Sequence, residues 1–183
     1  AARPWSGSRD HAPRSNPDGE LYSHGMFHGP RLQGVRRIRR WADEAIEADM
    51  AVIATHDYFS FTAQPRFRMD GALLDAVGQL AAYWLTEKWS WEHSCFPFQV
   101  GQYTQYADPP APGTQLVCRG AMELVDDAWV KAQFDVFDTQ GRIIMRVANW
   151  GSRKFTAAPS LYHFRFDPLR RYLTQPVAQG EIV

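Results

Sequence analysis

The sequence predicts an α+β fold in which a curved antiparallel sheet wraps around one long helix. The segment Gly71–Lys88 is rich in alanine and leucine and is long enough for about five helical turns. Most of the remaining chain has strand character, in segments whose short connections favour antiparallel pairing. Because a sheet must bury one face, the simplest packing places that face against the helix.

The composition is that of a globular domain with a substantial core. The chain has 183 residues, of which 45% are hydrophobic and 14% aromatic, and its 20 basic residues balance its 20 acidic ones. This aromatic content excludes a disordered chain, and the zero net charge argues against nonspecific nucleic-acid binding. No stretch of about 18 apolar residues predicts a membrane span, and the start lacks the apolar segment of a signal peptide. We therefore expect a cytoplasmic protein.

Three parts of the chain differ in composition. Residues 1–20 are rich in Pro, Ser, Gly, Arg and Asp and predict a linker or N-terminal extension. Residues 21–175 predict one folded domain, and residues 176–183 predict a tail or the start of another linker. The two cysteines, Cys95 and Cys118, make neither a disulfide framework nor a metal knuckle, and we expect both to be reduced thiols.

The strands are predicted from short β-rich segments and the turns between them. Segments 32–41 and 46–55 are joined by Ala-Asp-Glu-Ala, a connection short enough for a hairpin. Segment 129–138 shows the period-two alternation of a strand with one buried face. The other predicted strands are 96–106, 115–125 and 142–155.

The predicted helix carries the residues of greatest chemical interest. It is apolar almost all round, which is typical of a helix buried inside a larger structure, and Asp70 stands where an N-cap is expected. Asp75 and Gln79 interrupt the apolar surface at a spacing of i, i+4, so they lie on the same face, one turn apart.

A carboxylate at such a position is costly unless it is paired or protonated. The helix N-terminus favours the carboxylate and burial favours the acid, and in a dry site burial has the larger effect. We therefore expect Asp75 to be a general acid whose rotamer Gln79 holds by a hydrogen bond. The alternative is a structural Asp bonded to a neighbouring strand.

Two motifs resemble the second half of the dehydratase domains of type I polyketide and polyunsaturated-fatty-acid synthases. The first is LYSHGMFHGPRLQGV at residues 21–35, which is similar to that family's aromatic/His-Gly-Pro-x-aromatic/Leu-Gln motif. The second is MDGALLDAVGQLAAYW, which is similar to Leu-Leu-Asp-Ala-x-x-Gln on the family's central helix. Later segments resemble the same half-domain in the same order: PFQV, PPAPGTQLVCR, DVFDTQGRIIMRVANW and YHFRFDP.

The resemblance implies a hotdog fold and the removal of water from a 3-hydroxyacyl thioester, which gives a 2-enoyl thioester. Asp75 then corresponds to the Asp that assists departure of the hydroxyl, and Gln79 to the Gln that orients it. An acyl carrier protein holds the substrate on its phosphopantetheine, so the domain needs no cofactor or metal of its own. The residues expected to line the acyl tunnel are Phe27, His28, Gly29, Pro30, Phe96 and Pro97.

The sequence departs from the family in one important respect. The family's dehydratase is a double hotdog whose general base is a His in the first half, within His-x-x-x-Gly-x-x-x-x-Pro. None of the six histidines here has Gly four residues later. The chain is therefore interpreted as a fragment of a longer synthase, and the alternatives are a separate partner half or a domain that does not dehydrate alone. A homodimer with His28 as substitute base is a further alternative.

Several side-chain groups carry competing interpretations. His24 and His28 have the spacing of a zinc pair, but Gly25, Gly29 and Pro30 argue against a helix there, so no metal site is predicted. Cys95 beside His93 is a weak candidate for acyl transfer. A cluster of arginines predicts either the solvent face of a strand or a docking patch for an acidic carrier protein. The cluster is Arg36, Arg37, Arg39 and Arg40.

Three classes of function stay open at this point. The first is a dehydratase half-domain, and the second is another hotdog thioester enzyme, such as a thioesterase, isomerase or cyclase. The third is a non-catalytic hotdog that dimerises or docks carriers. The residues predict neither the acyl chain length nor the geometry of the double bond.

Overall fold

The computed structural model describes residues 10–11, 21–22, 26, 28–63, 65, 67–88 and 93–156. These residues form one long helix, α1 (Gly71–Lys88), and a seven-stranded sheet in which every pair of neighbours is antiparallel. The strands are β1 Asp10–His11, β2 Val35–Ala42, β3 Ala45–Ala51, β4 His93–Gln105, β5 Gln115–Leu124, β6 Trp129–Phe137 and β7 Ile143–Thr156.

The helix packs across one face of the sheet. The strand order is β1-β2-β3-β5-β6-β7-β4, so the chain leaves β3, passes through α1 and returns at the far edge as β4. Along its length α1 contacts β2, β3, β4, β5 and β6. The predicted α+β fold, one helix enclosed by an antiparallel sheet, is confirmed.

The bounds and burial of α1 agree with the prediction. The Asp70 carboxylate accepts a hydrogen bond of 3.0 Å from the Leu73 N–H, which satisfies a donor that the first turn leaves without a helical partner. Most of the helix is buried, and even Gln79 and Glu87 are only 3% and 2% exposed, whereas Asp75 is among the residues that stay partly exposed. Among the described residues, no helix is both long enough and apolar enough to cross a membrane.

The strands differ from the predictions mainly at their ends. A 3₁₀ turn, Pro30–Leu32, occupies the start of the first predicted strand, and β3 ends at Ala51 instead of residue 55. β1 lies within the stretch predicted as a linker and pairs with the end of β2. A strand of two residues is too short to show an alternation pattern, so the sequence offered no signal for β1.

Two glycines let neighbouring elements approach α1 closely. A Cβ at Gly34 would lie 2.6 Å from the Ala76 Cβ, and a Cβ at Gly78 would lie 2.5 Å from the Trp150 ring. Real Cβ atoms do not approach other atoms so closely, so both positions require glycine for packing. The first of these contacts brings the segment after His28 against the helix between Asp75 and Gln79.

Candidate functional site

The site forms where the segment 28–33 lies against the first half of α1. Asp75 and Gln79 project from the same face of the helix, and the Gln79 Nε2 donates a hydrogen bond of 2.7 Å to the Asp75 Oδ2. The same nitrogen donates to the Leu32 carbonyl at 2.7 Å. The bond predicted from the i, i+4 spacing therefore forms, and Gln79 also ties the helix to the 3₁₀ turn.

Tyr22 determines which way the Gln79 amide faces. The Tyr22 hydroxyl donates to the Gln79 Oε1 at 2.6 Å and accepts a hydrogen bond of 2.9 Å from the Val35 N–H. Since Oε1 faces a donor, Nε2 must face the two acceptors on its other side. Burial raises the pKa of Tyr22 well above its usual value, so the hydroxyl keeps its proton and remains a donor.

This network leaves the two oxygens of Asp75 in different situations. Oδ2 accepts from Gln79, whereas none of the described residues donates a hydrogen bond to Oδ1. Among the described residues, Oδ1 is therefore the oxygen left available to a bound molecule. The Asp75 side chain is 39% exposed, so the described residues do not by themselves form the dry site from which a protonated Asp75 was expected.

His28 is the second ionisable group at the site. Its Nε2 lies 3.7 Å from the Asp75 Oδ2, and its side chain is only 13% exposed. Burial lowers the pKa of His28, and the nearby Asp75 carboxylate partly opposes this effect. The Gln33 side chain donates to the His28 carbonyl at 3.0 Å and thereby holds the backbone at this position.

The other residues predicted to line the tunnel are divided between two places. Gly29 and Pro30 follow His28 and are exposed beside the site, whereas Phe27 lies outside the described residues. Phe96 and Pro97 lie near the start of β4, where Phe96 stacks on Phe155 with 5.2 Å between ring centroids. The start of α1 packs near the opposite end of β4, so these residues are not brought together with Asp75.

The arginine cluster lies on β2, where part of it forms ion pairs with β3. Arg37 binds the Asp49 carboxylate at 2.9 Å, and Arg39 binds Asp49 at 2.6 Å and Glu47 at 3.4 Å. Arg36 is exposed and Arg40 is half-buried. These cross-strand ion pairs favour the interpretation of the arginines as the solvent face of a strand. The docking patch for a carrier protein stays a prediction.

The remaining candidates have little chemical support. Burial raises the pKa of the Cys95 thiol to about 12, so almost none of it is thiolate near neutral pH. Among the described residues, no three His, Cys, Asp or Glu side chains lie close enough together to hold a metal ion. His24 is outside the described residues, so its spacing with His28 is not tested.

Sequence reasoning missed Tyr22 and the Leu32 carbonyl. Tyr22 lies 57 positions before Gln79, and no periodicity links residues so far apart. The available signal was its position inside the motif at residues 21–35, seven residues before Gly29.

One family profile matches most of the chain. It is described as the polyketide synthase dehydratase N-terminal domain, and it matches residues 1–161. The matched range includes the stretch 1–20 that the composition predicted to be a linker. Among curated proteins, none matches the chain.

Solved structures with a similar fold include dehydratase domains and thioesterases. The dehydratase domain from the CurJ module of the curacin polyketide synthase has a TM-score of 0.54 and 18% identity, over 70% of this chain and 44% of that one. The dehydratase domain of RzxB from Pseudomonas fluorescens has a TM-score of 0.52 and 17% identity, over 80% and 50%. A mutant thioesterase from Pseudomonas aeruginosa has a TM-score of 0.55 and 14% identity, over 79% and 98%.

These similarities confirm the hotdog fold, and at such identities they show the fold alone. The share of each solved structure that the chain covers differs between the two kinds of enzyme. The chain spans about half the length of the dehydratase structures but nearly the whole of the thioesterase.

Proposed function

The chain belongs to the polyketide synthase dehydratase family, and we propose that it is the Asp-bearing half of a site that dehydrates 3-hydroxyacyl thioesters. The observation that supports this most directly is the hydrogen bonding of the two carboxyl oxygens of Asp75. Its Oδ2 is held by Gln79, and its Oδ1 is left available to a substrate. A carboxyl group fixed at one oxygen and open at the other is suited to deliver a proton in one direction.

The proposed reaction divides the two protons between two groups. A base in the partner half removes the α-proton of the 3-hydroxyacyl thioester, and Asp75 donates its proton to the β-hydroxyl. The bond from the β-carbon to oxygen breaks, water leaves, and the electrons of the α C–H bond form the double bond of the 2-enoyl thioester. Asp75 ends as a carboxylate and the base ends protonated, so both must be reset before the next turnover.

We assign the chain to the second half of the double hotdog. The matching profile is described as an N-terminal domain, whereas the helix motif that carries Asp75 and Gln79 resembles the family's second half. The base-bearing motif His-x-x-x-Gly-x-x-x-x-Pro is absent from this sequence. The presence of the acid and the absence of the base together favour the second half.

The partner half is proposed to pair with β4. This strand lies at the edge of the sheet and, among the described residues, has β7 as its single neighbour. It presents Phe96, Phe98 and Val100, which are 45%, 54% and 42% exposed. A long apolar edge strand is a liability unless another chain segment covers it. Since the dehydratase structures are about twice as long as this chain, a second half-domain is the occupant that fits.

An acyl carrier protein is the proposed donor of the substrate. On this chain, the exposed Arg36 and the neighbouring arginines of β2 form a positive surface on which an acidic carrier protein can dock. The ion pairs of Arg37 and Arg39 reduce the charge available for that docking. The phosphopantetheine arm then carries the acyl chain past Gly29 and Pro30 to Asp75. Such a system operates in the cytoplasm.

The substitution Asp75→Asn tests this function. It keeps the shape of the side chain but removes the transferable proton, so we expect the assembled double hotdog to lose at least about 100-fold in dehydration rate. The measurement is mass spectrometry of a 3-hydroxyacyl carrier protein, which loses the mass of one water on conversion to the enoyl form.

The matched control is Asp127→Asn, because Asp127 is exposed and lies in the turn between β5 and β6. We expect the control to dehydrate at the parental rate. Water loss by Asp75→Asn at that same rate would refute the proposal. Release of the free acid from the parental protein, in place of the enoyl product, would instead identify a thioesterase.

A further inference from the structure

We propose that His28 is the group that returns a proton to Asp75 after each dehydration. This inference rests on the proposed function, because it concerns the step that resets the acid. His28 acts through Asp75 and does not touch the reacting atoms, so it is a positioning and relay residue. Its role in lining the acyl tunnel is separate and is not needed here.

The geometry connects the two side chains directly. The His28 Nε2 and the Asp75 Oδ2 are 3.7 Å apart, a distance that permits an ion pair. Hydrogen bonds used in catalysis are often this long in the free protein and shorten when the substrate binds. The His28 side chain is 13% exposed and the Asp75 side chain 39%, so the imidazole is the more buried of the two groups.

The charge of Asp75 changes the proton affinity of His28, although burial has the larger effect. Burial favours the neutral imidazole, and the Asp75 carboxylate favours the imidazolium. While Asp75 holds the proton that the proposed reaction requires, its carboxyl group has no charge to oppose the effect of burial, and His28 is neutral. After Asp75 has given up its proton, its new negative charge raises the pKa of His28. The imidazole then takes up a proton from the solvent, and the base of the partner half releases the α-proton to the solvent.

The reset step then needs no reactant other than this solvent proton. The imidazolium Nε2–H transfers its proton to the Asp75 Oδ2, which leaves a neutral imidazole and a neutral carboxylic acid. A half-turn about the Asp75 χ2 exchanges its two oxygens, since this torsion is nearly two-fold. The protonated oxygen then faces the substrate, and the other oxygen accepts from Gln79.

The other ionisable groups of this region have partners among the described residues. On the loop after β3, Asp57 forms an ion pair with Arg31 at 2.9 Å, and the Tyr58 hydroxyl donates to the Arg31 carbonyl. Near the start of the domain, the Tyr22 hydroxyl donates to Gln79 and stays protonated. The exposed Arg36 acts on Tyr22 electrostatically. Among the described residues, Asp75 is the one whose charge acts on the pKa of His28.

The first test is chemical rescue of His28→Gln in the double hotdog used for Asp75. Glutamine is polar but neither gains nor loses a proton near neutral pH, so it cannot act as the relay. The first turnover should therefore keep its parental rate while steady-state turnover falls by about 10-fold. Imidazole added to the buffer should restore steady-state turnover, because a diffusing base replaces the relay. The matched control is His56→Gln, at an exposed turn, where neither the variant nor added imidazole should change the rate.

The second test needs only the folded chain. The pKa of His28, followed by the NMR signals of its imidazole, should be lower in Asp75→Asn than in the parental protein, because asparagine cannot carry the negative charge that Asp75 has whenever it is deprotonated. Identical pKa values in the two proteins would refute the coupling, and so would a steady-state rate of His28→Gln equal to the parental rate.

The outcomes separate this inference from the proposed function. If Asp75→Asn abolishes dehydration but His28→Gln turns over normally, the relay is refuted and the function is retained. If His28→Gln slows the first turnover as much as later ones and imidazole has no effect, His28 has a structural role and the relay is again refuted. If Asp75→Asn dehydrates normally while the His28 pKa still responds to Asp75, the function fails and the coupled pair remains.

Discussion

Tyr22 holds the orientation of Gln79 and, through it, of the proposed catalytic Asp75. Its hydroxyl joins the Val35 N–H to the Gln79 Oε1, and Gln79 in turn holds one oxygen of Asp75. If the Gln79 amide rotated by half a turn, its oxygen would face the Asp75 carboxylate and repel it. The single hydroxyl of Tyr22 therefore decides whether Gln79 is a donor to Asp75.

We predict that Tyr22→Phe lowers both stability and activity. It leaves the Val35 N–H and the Gln79 Oε1 without their partner, which costs about 1–3 kcal/mol for each buried group. The unfolding free energy from urea titration and the dehydration rate should both fall, with the rate falling because Gln79 is no longer held in one orientation. Tyr106→Phe, at an exposed position, is the control and should change stability by less than about 0.5 kcal/mol. Equal behaviour of the two variants would contradict this account.

What the sequence could predict at this scale depends on distance along the chain. Asp75 and Gln79 could be paired because helical geometry places residues four apart on the same face. The contact of His28 with Asp75 required the fold, because β2, β3 and a long loop separate the two residues. The partial exposure of Asp75 was not predictable either, since burial depends on whichever chain segment covers the helix end.

At the scale of elements, α1 was the best predicted part of the molecule. Its composition, its length and its Asp70 cap are local properties, so a sequence window contains all of them. The strand ends were predicted less accurately, because where a strand ends depends on the neighbouring strand with which it pairs. β2, for example, contains register shifts after Val35 and after Ile38 that no alternation pattern reveals.

The packing of α1 on the sheet gives a prediction about two helical glycines. Gly78→Ala should destabilise the fold by about 1–3 kcal/mol, because the new methyl group would collide with the Trp150 ring. That ring is buried, and its Nε1 donates to the Ser152 hydroxyl at 2.7 Å, so it has little freedom to move. The collision should outweigh the gain of about 1 kcal/mol that alanine brings to a helix interior.

Gly71→Ala provides the matched control for this pair. A Cβ at Gly71 has no atom within 4 Å, so this variant should be neutral or slightly more stable in thermal unfolding. A Gly78→Ala protein as stable as Gly71→Ala would show that α1 does not pack on Trp150 as described.

At the scale of the whole molecule, the sheet is unequal at its two edges. The β1 edge is two residues long, whereas β4 is a strand of 13 residues with exposed aromatic side chains. In an isolated domain such an edge invites association. The sequence predicted the β-structure of this segment but not its place at an edge, because strand order depends on the path of the chain through α1.

We predict that Phe98→Glu weakens binding of the His-bearing first half by at least about 10-fold while the chain stays folded, since the new charge must be desolvated when β4 is covered. Phe61→Glu is the matched control, because Phe61 is 82% exposed on the loop before α1 and lies off β4. Calorimetric titration of each variant with the first half measures the affinity, and circular dichroism checks the fold. Equal affinities would place the partner on another surface. If the isolated chain dimerises and Phe98→Glu makes it a monomer without altering affinity for the first half, β4 is instead the interface between two copies of this chain.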